Sequence, residues 1–168
     1  MSSDQQQNSG QEEQAVFDMP DSAREQEHVR YGVRFGEFGL LVPDAVFSEV
    51  VVKKEVYPLP NTQPWLQGII NDHGDMVPVY DLSLLFGLDS SAGKKNALLI
   101  IDQREHAAAI RVPEYPKAVR GGVEIAAVDN LPEPLKGHVE KVYQAGGETW
   151  IDFRHRAFFM SLKALVTS

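Results

Sequence analysis

The 168-residue chain contains no cysteine. That excludes disulfides and thiolate metal sites, and it fits a reducing compartment. No apolar run approaches the roughly 18 residues that a membrane-spanning helix needs. The first 28 residues carry no apolar run either, so no secretory signal is expected. Positive charge is scarce: 16 Lys and Arg stand against 24 Asp and Glu, for a formal net charge of −8. Such a chain repels phosphate backbones and anionic lipid, so neither nucleic acid nor direct membrane insertion is expected. The expectation is a cytoplasmic protein whose partners are proteins.

Residues 1–27 are rich in Gln, Ser, Asp and Glu, and only Val16, Phe17 and Met19 could anchor them. A segment this poor in apolar surface cannot offset its ordering entropy. Residues 1–27 are therefore expected to be a disordered acidic, Gln-rich tail, and 28–168 the folded domain. That length supports a core without covalent staples.

Period-two patterning begins at Val29, Tyr31, Val33 and Phe35, which alternate with polar residues as a half-buried strand does. Gly36-Glu37 reads as a tight turn into Phe38–Val42, and Glu49–Val52 as a further β-branched strand. The proline-rich stretch 57–64 reads as a loop. Gly68–Asn71 and Asp75–Tyr80 flank a turn in which Gly74 takes positive φ, and Asp81 is placed to cap a short helix, Leu82–Phe86, that Gly87 ends. After a flexible Ser90–Gly93 break, strands are expected at Asn96–Asp102, His106–Val112, Lys117–Val119, Val139–Gln144 and Thr149–Phe153. From Arg156, the residues Phe158, Phe159, Leu162 and Leu165 recur at helical spacing, as in a helix covering a barrel end. About ten short strands in two successive halves imply an all-β protein with short helices, built as two small barrels.

Chemistry is sparse. His28, His73, His106, His138 and His155 lie far apart, and no two share a ligand spacing. No metal, cofactor or catalytic residue is expected. Asp72-His73-Gly74-Asp75 is the only dense titratable cluster, and it sits at a hairpin tip. Water there denies it the desolvated, fixed setting that catalysis needs. Such a tip serves better as a contact surface. Ser83, Ser90 and Ser91 lack a nucleophile elbow, and Gly121-Gly122 and Gly146-Gly147 lack the features of a phosphate cradle.

The segment from Leu59-Pro60 through Trp65, Gly68-Ile69-Ile70-Asn71, His73-Gly74 and Val77-Pro78-Val79-Tyr80-Asp81-Leu82 resembles the signature of CheW-like chemotaxis adaptor domains. Phe38–Pro43 is similar to the family's Tyr-Gly-Ile-Pro hairpin, and Glu49-Val50 to its Glu-Ile element. The resemblance runs over about residues 29 to 165, more loosely in the second half. It implies two five-stranded barrels sharing a core, a closing C-terminal helix and no catalysis. It also implies two partners, a methyl-accepting chemoreceptor and the regulatory domain of a CheA-type histidine kinase. On that resemblance the partner-facing residues are Phe47, Glu49, Val51, Asn71, Asp72, His73 and Gly74. Phe47 and Val51 would supply affinity, and the charged residues specificity.

Two departures stand out. His73 occupies the place of the family's Arg, with Asp72 before it in place of an aliphatic residue, and Pro113 replaces an acidic residue further on. A permanently charged guanidinium fork has become an imidazole beside an acid. These changes point to a specialised adaptor, such as one serving type IV pili and twitching motility. Two other readings compete with an adaptor: a β-barrel domain sensing a small ligand, and an enzyme built on Asp72, His73 and Asp75. An adaptor predicts an open apolar groove between the barrels, whereas a sensor predicts a closed pocket with converging polar groups.

Overall fold

Two sheets are built from eleven strands, and the chain does not fill them one after the other. A computed structural model describes residues 29–90 and 96–167, so the expected tail over 1–27 lies outside the described residues, as does most of the Ser90–Gly93 break. The strands are β1 (Arg30–Phe35), β2 (Phe38–Leu41), β3 (Ser48–Val52), β4 (Leu66–Asp72), β5 (Asp75–Tyr80), β6 (Ala97–Ile101), β7 (Ala108–Arg111), β8 (Lys117–Val119), β9 (Val123–Ile125), β10 (Val139–Ala145) and β11 (Glu148–Phe153). Helix α1 covers Leu82–Leu85 and α2 covers His155–Thr167.

One sheet has the order β8-β1-β2-β11-β10-β9 and the other β3-β6-β7-β5-β4. The first hairpin thus joins the C-terminal strands, through a parallel β2–β11 pair that matches Gly39 with Trp150. The expected mostly-β fold of two curled sheets with a closing C-terminal helix is present; its strands divide six and five and interleave along the chain, where two successive halves of five were expected. The extra strand, β9, has three residues and leaves Val123 at 66% exposure, so it carries no alternation to read. The strand expected from His106 begins at Ala108, because Arg104–His106 form a 3₁₀ turn.

Both sheets curl. Edge strands β8 and β9 are separated only by residues 120–122, a link reaching roughly 14 Å. In a flat sheet of six strands the edges would lie about 24 Å apart. The second sheet closes at its own edges, because Tyr57, just beyond β3, exchanges both backbone hydrogen bonds with Ile69 of β4 at 2.8 and 2.9 Å.

Three apolar clusters follow from this arrangement. Ala97, Leu99 and Ile101 of β6 face a shared core with Val33, Phe35, Leu40 and Ile151 of the first sheet. Leu98 and Ile100 face the opposite way, into the interior of the second sheet with Ile70, Val77 and Val79. This is why β6 is buried at every position. Trp150 fills the first sheet's interior with Leu41 and Val119. It lies over Gly32 and Gly39, where an added Cβ would fall 2.4 Å and 2.3 Å from its ring, so only glycine leaves room for the indole.

Helix α2 locks the layers together. Phe158, Phe159 and Leu162 are buried in the shared core, with Phe158 edge-on to Phe153 and Phe159 stacked on Tyr80. Leu165, expected to join them, is 56% exposed. Helix α1 starts as expected: Asp81 Oδ1 accepts from the Leu84 N–H at 3.1 Å, and the Ser90 hydroxyl donates to Asp81 Oδ2 at 2.7 Å. Ser90 is thus tied to α1 and does not begin a free linker.

Candidate functional site

Two surface features bear on function, and both arise where the sheets meet or close. The first is an open groove of about 520 Å³ between the sheets. Tyr31 of β1, Val50 of β3, Val42, Val46, Leu99 and Tyr115 are among the residues that line it. Tyr31 and Tyr115 are each 54% exposed. Arg30 enters the groove with its Nη2 donating to the Val42 carbonyl at 3.0 Å and to Asp152 Oδ1 at 3.2 Å.

The second feature is the tip of the β4–β5 hairpin. Asp72 pairs with Asp75, leaving His73 and Gly74 as the two turn residues, at φ +50° and +89°. Two successive positive φ values describe a type I′ turn, whose twist matches the flanking strands. Asn71 Oδ1 accepts from the Gly74 N–H at 3.1 Å, which fixes the turn from below. Gly74→Val should cost about 1–3 kcal/mol, since a β-branched residue resists that conformation. Urea denaturation checks it, and wild-type stability would mean that the turn tolerates any backbone.

The structure sorts the residues expected to face a partner. Phe47 is 41% exposed and His73 protrudes, with 76% of its side chain exposed, so both are reachable. Val51 packs partly buried against the Ile70–Val77 cluster, while Val50 and Val52 on the opposite face of β3 are exposed. The reason is the two-residue period of a strand: Val51 shares the inward parity of Glu49. Asp72, expected at a solvated tip, is only 8% exposed.

Closure of the sheet brings Glu49 to the tip. His73 Nε2 lies 3.5 Å from Glu49 Oε1 and 3.7 Å from Asp72 Oδ1. No ligand spacing along the chain announces this cluster. It exists because β3 and β4 are the two edges of one curled sheet.

Asp102, which no sequence signal singled out, anchors the helix. Its carboxylate accepts from Arg156 Nε at 2.8 Å and lies 2.9 Å from His155 Nε2, both at the start of α2. Burial pushes its carboxyl upward, but hydrogen bonds from Arg156, His155 and the Gln103 N–H outweigh that and hold it well below the usual carboxylate range.

Residues 32–151 match the model of the CheW-like domain. The chain belongs to the CheW-like family. Its fold is similar to that of TtCheW, a scaffolding protein from Thermoanaerobacter tengcongensis, with a TM-score of 0.59 and 20% identity over 74% of this chain and 87% of that one. No curated protein matches the sequence significantly. CheW-like domains are non-enzymatic scaffolds of chemotaxis-type signalling, coupling receptors to a histidine kinase. Among the described residues, no helix is long and apolar enough to cross a membrane. The six- and five-stranded curled sheets around a shared core, closed by α2, are this CheW-like domain's version of the fold.

Proposed function

We propose that this chain is a cytoplasmic adaptor that couples a methyl-accepting chemoreceptor to the regulatory domain of a CheA-type histidine kinase. The observation that carries this reading is the groove between the sheets. It is open and largely apolar, with exposed tyrosines at its rim, which suits the apolar face of a partner helix better than a small ligand. The hairpin tip with Phe47 and His73 then faces the kinase. Apolar Phe47 supplies affinity there, and the charged residues supply specificity.

Burial decides which residues can test this. An Arg at the buried Asp72 would probe folding, whereas Phe47 and His73 can be changed without entering the core. Phe47→Ala and His73→Glu should each weaken binding to the neighbouring kinase's regulatory domain by about 1–2 kcal/mol. Val50→Asp should weaken receptor binding and leave the kinase untouched. Calorimetric titration in EDTA with tag-free protein measures both. Unchanged affinity for both partners in folded variants would place the interfaces elsewhere.

His73 in place of the family's Arg favours a kinase other than the standard chemotaxis one, such as that of a pilus-motility system. His73→Arg should shift preference toward a standard kinase. Unchanged preference would mean that the substitution does not set partner choice.

A further inference from the structure

The cluster at the sheet seam combines two features that an adaptor surface does not need. It holds three donor atoms, from Glu49, Asp72 and His73, all within 4.8 Å of one another. It also contains one buried carboxylate oxygen that no hydrogen bond reaches. Glu49 Oε1 is buried and receives no hydrogen bond, its nearest partner being His73 Nε2 at 3.5 Å, while the Glu49 side chain as a whole is 29% exposed. The carboxylate of Asp72, which is 8% exposed, approaches the same imidazole at 3.7 Å. A buried carboxylate oxygen without a donor is costly, and an ordered water, an ion or a ligand can complete it. Asp72 and His73 also line, with Asp75, a notch of about 170 Å³ beside the cluster, and Asp75 adds to the negative field there.

We infer that Glu49, Asp72 and His73 form a binding site for one divalent transition-metal ion of the zinc type. The donor set, one imidazole nitrogen and two carboxylate oxygens, is one that Zn²⁺ accepts, with further positions open to water. The separations fit as well. In a tetrahedral zinc site adjacent ligand atoms lie about 3.3 Å apart. His73 Nε2 stands 3.5 Å from Glu49 Oε1 and 3.7 Å from Asp72 Oδ1, so small side-chain rotations bring the three atoms onto one face of the tetrahedron. The main chain is already set, because the Asn71–Gly74 hydrogen bond holds the turn that carries His73 at φ +50°. An ion here would also clasp β3 to the β4–β5 tip and reinforce the closure of the sheet.

The inference does not depend on which partners the adaptor binds, and its test uses the tag-free full chain alone. After EDTA treatment and desalting, Zn²⁺ is titrated in a non-chelating buffer by calorimetry. Nuclear magnetic resonance follows the imidazole nitrogens of the five histidines in parallel. One ion per chain is expected, with a shift confined to His73. Glu49→Gln and His73→Asn should each weaken binding at least tenfold, the Asn keeping the turn because it tolerates positive φ. Absence of saturable one-to-one binding in the wild type would overturn the site. So would a shift at another histidine, or unchanged affinity in both variants.

Discussion

Gly68→Ala should destabilise the protein by about 3–5 kcal/mol and open the seam of the second sheet. Gly68 sits at φ +144°, where its strand meets the backbone of Tyr57. An added Cβ would fall 2.2 Å from the Tyr57 carbonyl oxygen and 2.9 Å from Pro58 Cα. These are backbone atoms and cannot rotate away, so the clash adds to the conformational strain of a non-glycine residue there. The backbone pair that closes the sheet, Tyr57 with Ile69, would be the first to separate. Urea denaturation gives the loss of stability, and hydrogen exchange should show the Tyr57 and Ile69 amides exchanging faster than the β6 amides. Wild-type stability with both amides protected would mean that the Tyr57 strand does not cross β4 at Gly68. The β4–β5 register also shifts between Leu66 and Gly68, next to this bridge.

The second large effect belongs to Asp102. Asp102→Ala should cost about 2–4 kcal/mol at pH 7, because it leaves His155 and Arg156 at the start of α2 without their shared carboxylate. Arg156 is 55% exposed, and water recovers part of its loss, which keeps the figure below that of a wholly buried pair. The dependence on pH has a definite sign. The carboxyl of Asp102 titrates lower in the folded protein than in the unfolded chain, so its contribution is complete above the unfolded value of about 3.9. Below that it is lost as pH falls toward the folded value. The gap between wild type and variant, present at pH 7, should therefore narrow by roughly 1 kcal/mol between pH 5 and pH 3. Parallel urea titrations at the three values measure it. A gap that is absent at pH 7, or that does not change by pH 3, would mean that the carboxylate's charge is not what holds the helix.

Much of this molecule was legible in its residues because the relevant interactions are local. Asn71 to Gly74 specify a turn by their own side chain and φ preferences, and the structure has that turn. Asp81 specifies a helix start through a bond to a residue three positions away. Phe158, Phe159 and Leu162 specify one face of α2 by spacing alone, although the same spacing carried Leu165 along when the helix had run past the core. Parity along β3 was also available in the pattern, and it is the fold that shows Val50 and Val52 facing out and Val51 facing in.

What lies beyond local patterning was decided only by tertiary structure. Alternation says that β1 and β2 form a hairpin, but not that β2 pairs with β11 more than a hundred residues later. Strand pairing energy depends on which edges meet, and edges carry no residue code of their own. Asp102 gains its importance from partners 53 and 54 positions away. Glu49 reaches Asp72 and His73 because a five-stranded sheet twists until its first and last strands touch. The sequence by itself determined most strands, the hairpin turn, the helix cap and the family of this protein, since those rest on neighbours a few residues apart; the three-residue β9 and the start of β7 were not among them. The groove and the seam cluster came from closure of the sheets, in which chain twist and the burial of Trp150, Ile70 and Phe158 set distant residues side by side.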